Sequence, residues 1–480
     1  MPTEPSPAPR PRRASHDLQP PAALLEFLAT GWDESPGPLP DPLPAAAAHA
    51  ARRQRLSAQF PGLLLVIPAG VERVRANDTV FRYRPGTDFL HLVGEAEPGD
   101  VLVLAPRPDG GHDAVLHTQP EVDHQRPDFF TDRARGAFWV GAPRGLRAAG
   151  ARLRLEARPL AELPLILGRH DRGAVLRGLD PEVDRLAQDL AGPEPELRAA
   201  CSELRLVKDA GEIEELQRAC DLTTLAFEDV ARDLDRMRSE RDVEVTFFAR
   251  ARREGHDTGY LTIAAAGTHA TVLHWSRNDG AVRPGDLLLL DAGVETPGHY
   301  TADVTRTLPV GGRFTHAQRE VYTLVFQAQQ AALEAVRPGA RFRDPHQRAM
   351  EVLARGLERM GLLPEPAEQA LREDRQLYKR YTLHSVSHWL GLDVHDCAHA
   401  RESAGTTCEL EPGMVLTVEP GLYFQPDDLT VPEAYRGIGV RIEDDVLVTE
   451  QGHRVLSAAL PTHPDQLEAW MARLRGKPAD

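Results

Sequence analysis

Residues 284–293 read PGDLLLLDAG and residues 412–421 read PGMVLTVEPG. The two stretches align without a gap at an offset of 128 residues. Each holds a Pro-Gly turn, an apolar run with the length of a buried strand, a carboxylate (Asp291 or Glu419), and a further turn. Each is followed by a second acid-bearing strand pattern, TADVTRT at 301–307 and GVRIEDDVLV at 439–448. Two similar halves that each end a buried strand on a carboxylate imply a pseudo-symmetric domain with acids meeting near its axis. An acid in that position is costly to desolvate unless it is paired or metal-bound. The competing structural reading makes Asp291 a turn former or helix cap. Alternation with period two puts Asp303, Thr305 and Thr307 on one face, and likewise Arg441, Glu443 and Asp445. The bland alternative for both is a charged, solvent-facing strand.

The histidines sharpen the choice. His384, His388, His395 and His399 fall within sixteen residues, in a chain with 19 histidines over 480 residues. A lone histidine is commonly a hydrogen-bonded core residue, but four beside Trp389, Leu390 and Leu392 argue for a metal or acid–base site. Two Asp, two Glu and one His form a mostly oxygen donor set. Such a set suits Mn²⁺, and one imidazole also admits Co²⁺ or Zn²⁺. Five protein ligands exceed what one catalytic ion accepts while keeping an open position, so two ions ~3.5–4 Å apart and bridged by carboxylates are expected. Hydrolysis of an amide, ester or phosphate bond follows.

Composition excludes other classes. Lys and Arg total 56 against 72 Asp and Glu, a net charge of −16. Nucleic-acid binders and proteins of anionic membrane surfaces cluster positive charge instead, so neither partner is expected. The four cysteines form no C-x-x-C pair and are few for this length, which favours a reducing compartment. The opening MPTEPSPAPRPRRASHDLQPP has no apolar stretch after its basic residues, so it does not read as a secretory signal. The apolar runs Leu63–Ile67 and Leu287–Leu290 fall short of the ~18 residues of a membrane helix. The reading is a cytoplasmic protein.

Three segments are expected. Residues 1–44 hold twelve prolines and read as a disordered or extended leader, with a short helical turn at Leu24–Leu28. Residues 45–200 read as an α/β domain, with a helix at Ala45–Gln59, strands in GLLLVIP and VLVLAP, and helical sequence over Pro181–Ala200. Residues 201–480 form the second domain, opening on one long amphipathic helix in LRLVKDAGEIEELQRACDLTTLAFEDVARDL.

Six ordered motifs carry a family resemblance: LHW at Leu273–Trp275, DAGVE at Asp291–Glu295, ADVTRT at Ala302–Thr307, HSVSHWLGLDVHD at His384–Asp396, VEPGLYF at Val418–Phe424 and YRGIGVRIEDD at Tyr435–Asp445. Together they resemble the pita-bread metallopeptidases, most closely the Xaa-Pro aminopeptidase (aminopeptidase P) family. The segment Arg75–Phe89 is similar to that family's N-terminal domain. The resemblance implies an α/β N-terminal domain followed by an α+β pita-bread catalytic domain. It implies five ligands, Asp291, Asp303, His388, Glu419 and Glu443, with Asp303 and Glu443 bridging two ions, most simply Mn²⁺. Glu419 becomes the general base and then acid beside a bridging hydroxide, and His395 supports the substrate carbonyl oxygen. His274 and His384 line the substrate pocket, with Tyr423 and Arg441 nearby, and Asp78 approaches a neighbouring subunit's site. The implied substrate is a peptide with an N-terminal X-Pro pair, and the implied assembly is a homodimer or homotetramer. The rivals are an Xaa-Pro dipeptidase, a non-catalytic peptide- or protein-binding relative, and a creatinase-like amidinohydrolase. Three departures stand out: one extra residue between Asp291 and Asp303 in the turn Thr296–His299, Ser385 in place of Gly, and Cys397-Ala398-His399 after the last motif histidine.

Overall fold

The computed structural model describes residues 20–33, 35, 37–77, 79–133, 135–400 and 408–476. The chain divides into two compact units between Leu197 and Arg198. The first is built on a five-stranded sheet in the order Glu156–Pro159, His112–Thr118, Val101–Pro106, Leu64–Pro68, Gly173–Val175. The three central strands pair antiparallel and the outer two parallel. Leu64–Pro68 is buried at every residue, as expected for a strand covered on both faces. The helix Ala46–Gln59 packs against the helix Thr87–Val93. Its buried Arg52 and Arg53 donate to the carbonyls of His91 and Leu92, at the end of the helix Thr87–Val93. These arginines satisfy acceptors that a helix C-terminus leaves open.

In the proline-rich segment the expected helical turn at Leu24–Leu28 is present and begins two residues earlier. Ala22–Leu28 is a helix, and Trp32 stacks on His124 at 4.4 Å with Phe129 against its edge. Trp32 thus finds aromatic partners that proline content alone does not reveal, while Phe27 stays exposed.

The second unit carries the repeat. Leu287–Ala292 pairs antiparallel with Val304–Pro309 and with Ile263–Ala266. Val415–Val418 pairs antiparallel with Asp444–Thr449, which pairs with Gly452–Val455. Both Pro-Gly turns place their glycine in the left-handed region, Gly285 and Gly413 each at φ 93°. The halves meet where the Glu443 N–H donates to the Thr305 carbonyl at 3.1 Å and the Asp303 N–H donates to the Asp445 carboxylate at 3.0 Å. Helices Ala210–Asp233, Glu240–Glu254, His316–Ala335 and Asp344–Arg359 belong to the same unit.

Two sequence expectations change. The long helix breaks at Val207-Lys208-Asp209, giving Glu194–Leu206 and Ala210–Asp233. Asp209 caps the second helix through a capping box with Glu212, so the chain restarts rather than continues. The run GVRIEDDVLV is not one strand. Gly439–Arg441 pairs with Gly421–Tyr423, and Asp444–Thr449 pairs with Val415–Val418. Ile442 and Glu443 lie at the change of partner.

Arg306 is the largest fully buried side chain among the described residues. It donates to Asp444 at 2.6 Å, to the Glu443 carbonyl at 2.6 Å and to the Leu460 carbonyl at 2.8 Å, so one guanidinium joins both halves of the repeat. Removing one partner of a buried pair strands the other charge. Arg306→Met is expected to lower unfolding free energy by about 3–5 kcal/mol in a urea titration. Pairing it with Asp444→Leu is expected to recover part of that loss, and equal midpoints for parent and single variant would contradict the account.

Candidate active site

Asp291 is the penultimate residue of its strand, opposite Thr305 in the hairpin. Asp303 immediately precedes the partner strand, so the hairpin presents both acids. Glu419 follows Val415–Val418, and Glu443 immediately precedes Asp444–Thr449, so the second half presents its own pair. The structure brings one ligand atom each from Asp303, His388 and Glu443 within 4.8 Å of one another. His388 Nε2 is 3.3 Å from Asp303 and 3.5 Å from Glu419. Its Nδ1 faces the Trp389 carbonyl at 3.1 Å, which fixes the ring and leaves Nε2 toward the acids. Asp291 joins the group through Tyr260, whose hydroxyl is 2.5 Å from both Asp291 and Asp303.

Around the acids lies a ring of buried donors. Arg441 donates to Asp291, to the Tyr423 hydroxyl at 3.0 Å and to Thr305 at 3.1 Å. Thr305 donates to Glu443 at 2.7 Å. His384 Nε2 lies 2.8 Å from the Tyr423 hydroxyl, and its Nδ1 lies 3.4 Å from Glu419. With Arg441 donating to the Tyr423 oxygen, the tyrosine proton is free for His384 Nε2. That arrangement leaves the His384 proton on Nδ1, toward Ser385 and Glu419.

The environment splits the acids electrostatically. Burial raises Asp291 to about 6 against the pull of Arg441. Burial and the charges of Asp303, Glu419 and Asp291 push Glu443 far above the carboxylate range. Glu419 goes the other way. Burial raises it, but the hydrogen bond and charge of His384, with His388 and Arg441, outweigh burial and hold it below its ordinary value. His388 is lifted to about 9: burial opposes its charge, yet Asp303 and Glu419 overcome that. So many acids around one cationic imidazole and one guanidinium are short of positive charge. A donor set of four carboxylates and one imidazole, with Asp291, Asp303 and Glu443 buried and Glu419 and His388 partly open, fits divalent cations, which would supply it.

The remaining predicted residues are placed less centrally. His395 is exposed, with its ring 4.4 Å from that of His388 at 85°. His274 is exposed in the segment after the 3-10 turn Gly267–Thr271, close enough for its charge to act on His395. Asp78 lies outside the described residues. Two contributors were not read from the sequence. Tyr260 has no motif around it beyond a glycine. Arg205 pairs with Asp396 at 2.8 Å, both buried, and Asp396 also accepts the Leu392 and Cys397 N–H groups. That pair fixes the loop between His388 and His395.

Fold and site together define a metal-dependent peptidase. Residues 214–450 match the signature of metallopeptidase family M24, and residues 49–173 match that of the aminopeptidase P N-terminal domain. Xaa-Pro aminopeptidase 1 of Streptomyces coelicolor is 50% identical over 459 residues, covering 94% of this chain and 92% of that protein. Xaa-Pro aminopeptidase of Escherichia coli is 34% identical, covering 88% and 97%. The structure of aminopeptidase P from Escherichia coli with the inhibitor Pro-Leu superposes with a TM-score of 0.81 at 32% identity, covering 90% of this chain and 99% of that one. Proline aminopeptidase P II from Yersinia pestis gives 0.79 at 34% identity, covering 89% and 99%. The chain belongs to the Xaa-Pro aminopeptidases of metallopeptidase family M24. It is a hydrolase that uses divalent metal ions, with an aminopeptidase P N-terminal domain before a pita-bread catalytic domain.

Tyr260→Phe removes the hydroxyl shared by Asp291 and Asp303 without changing the packing volume. Loss of such an outer partner is expected to weaken metal binding ~10–100-fold. Competition with a chromophoric chelator measures this, and unchanged affinity would remove Tyr260 from the site.

Proposed function

We propose that this protein removes the N-terminal residue from peptides with proline in second position, using two divalent ions held by Asp291, Asp303, His388, Glu419 and Glu443. The observation that carries this reading is the buried carboxylate cluster closed by the His388 imidazole. Asp303 and Glu443, close together across the two halves, would be the pair shared between the ions. The mostly oxygen donors favour Mn²⁺, and the single imidazole also tolerates Co²⁺ or Zn²⁺. When bound, such ions would supply Lewis acidity for the scissile carbonyl and a water more acidic than bulk water.

The chain's own residues handle the protons. Glu419, held ionised by His384 and His388, accepts the proton of the attacking water and returns it to the prolyl nitrogen as the bond breaks. His395 stands on the open side of His388, where its ring N–H supports charge on the carbonyl oxygen. His384 and Tyr423 wall the proline ring, with His274 at the rim. Arg441 acts through Asp291 and Tyr423, which it orients. Proline carries no amide N–H, so the site reads the ring by shape rather than by a hydrogen bond.

A cavity of about 740 Å³ lined by Phe342, Arg343, His346, Lys379, His384 and Ser385 adjoins the cluster. It leaves room for residues beyond proline, which an aminopeptidase needs and a dipeptidase does not. The scarcity of cysteine supports a cytoplasmic setting. No described helix is long and apolar enough to cross a membrane. The exposed Phe138, Trp139 and Val140 of the first unit are the kind of surface that a homodimer or homotetramer covers.

Two measurements test this reading. The Mn²⁺-loaded protein is expected to release the first residue of an X-Pro-Y tripeptide and to leave X-Ala-Y intact. Cleavage of X-Pro dipeptides alone would identify a dipeptidase. Asp303→Ala is expected to lower kcat/KM by more than ~100-fold while circular dichroism stays unchanged, since even outer-shell losses cost ~10–100-fold. Activity near the parent's would sink the two-ion assignment.

A further inference from the structure

A second group of ligand-type side chains lies outside the cluster. His256 follows the helix Glu240–Glu254. Glu295 ends the short strand Val294–Glu295, which pairs with Asp257–Thr258. His299 sits in the turn after it. One ligand atom from each of the three lies within 4.8 Å of the others. His299 Nδ1 is 3.1 Å from Glu295, and the two imidazole rings are 4.8 Å apart at 68°. The Glu295 and His299 side chains are only 4% and 13% exposed.

The backbone holds these three in place independently of their side chains. The His256 N–H donates to the Glu295 carbonyl at 2.7 Å. The turn closes on itself through Thr296 N–H to the Tyr300 carbonyl at 2.8 Å and His299 N–H to the Thr296 carbonyl at 2.8 Å. Thr296 donates to Glu215 at 2.6 Å and Tyr300 to Glu212 at 2.8 Å, which ties the turn to the helix Ala210–Asp233. A side chain at Gly298 would come within 2.9 Å of Glu215, so the turn lies close on that helix. Two imidazoles and one carboxylate therefore converge on one point from three anchored backbone positions.

We propose that His256, Glu295 and His299 form a separate metal site that takes a single Zn²⁺ ion. The donor chemistry selects that ion. The first cluster is rich in oxygen, but two nitrogens and one oxygen suit a borderline ion such as Zn²⁺. The ion adds positive charge beside a buried carboxylate. Its location gives it a structural role. The turn that it would clamp is the connection between Asp291 and Asp303, so the ion pins the hairpin that presents them.

The test uses the full chain, stripped by chelator and titrated with Zn²⁺ against a chromophoric indicator. The parent is expected to bind one more Zn²⁺ per chain than His256→Gln/His299→Gln. The difference of one is expected to persist when both carry Asp303→Asn, which damages the peptidase cluster alone. Equal stoichiometry in parent and double variant would overturn the proposal. A second measurement needs no variant at this site. Zn²⁺ is expected to protect His256 and His299 of the parent from diethyl pyrocarbonate, read by peptide mass spectrometry, and full modification of both in saturating Zn²⁺ would also overturn it. Neither readout depends on peptidase activity, so this site and the peptidase reading stand or fall separately.

Discussion

Mutual repulsion among Asp291, Asp303, Glu419 and Glu443 is the constraint around which the second unit is built. Two like charges ~4 Å apart cost on the order of 4 kcal/mol at an effective dielectric of ~20, and four buried acids multiply such pairs. The protein answers with few, exact placements: Arg441 on Asp291, Tyr260 between the two aspartates, Thr305 on Glu443, and His388 facing Asp303 and Glu419. These donors orient the acids without neutralising them. The deficit left over is the affinity of the pocket for divalent cations. Behind the pocket, Arg306 and Asp444 hold the two halves in register, so the acids cannot move apart to relieve the strain.

Most of this was legible in the sequence because the chemistry comes in contiguous pieces. The strand-plus-acid repeat at 284–293 and 412–421 reappears as two hairpins with matching Pro-Gly turns. Of the histidine cluster, His384, His388 and His395 reappear in one loop beside the acids. The acids themselves are conspicuous, since carboxylates seldom end runs of leucine and valine. Supports contributed from far along the chain were not legible. Arg205 reaches Asp396 across 191 residues. Tyr260 looks like any strand-end aromatic until folding sets it between two aspartates. Helix breaks were also hidden, because the capping box at Asp209 and Glu212 lies inside an unbroken amphipathic pattern. The change of strand partner at Ile442 and Glu443 was hidden for a similar reason: alternation reads the same whether or not the partner changes.

Arg441 shows how function and architecture share residues here. Its guanidinium is buried, and its donors are directed at Asp291, Tyr423 and Thr305. Through Tyr423 it sets which nitrogen of His384 carries the proton, and thereby the hydrogen bonding of Glu419. Arg441, Tyr423, His384 and Glu419 thus form one continuous chain of polar contacts. The cation it supplies also lowers the cost of Asp291 before any metal arrives.

The order of the acids along the chain bears on how the protein is made. Asp291 and Asp303 leave the ribosome on one hairpin, while Glu419 and Glu443 are still to be translated. At ~5–20 residues per second the second pair follows on the order of ten seconds later. During that interval the nascent hairpin carries half a binding site and an Arg306 whose partner Asp444 does not yet exist. The four acids therefore come together only after Glu443 has been made, 152 residues after Asp291.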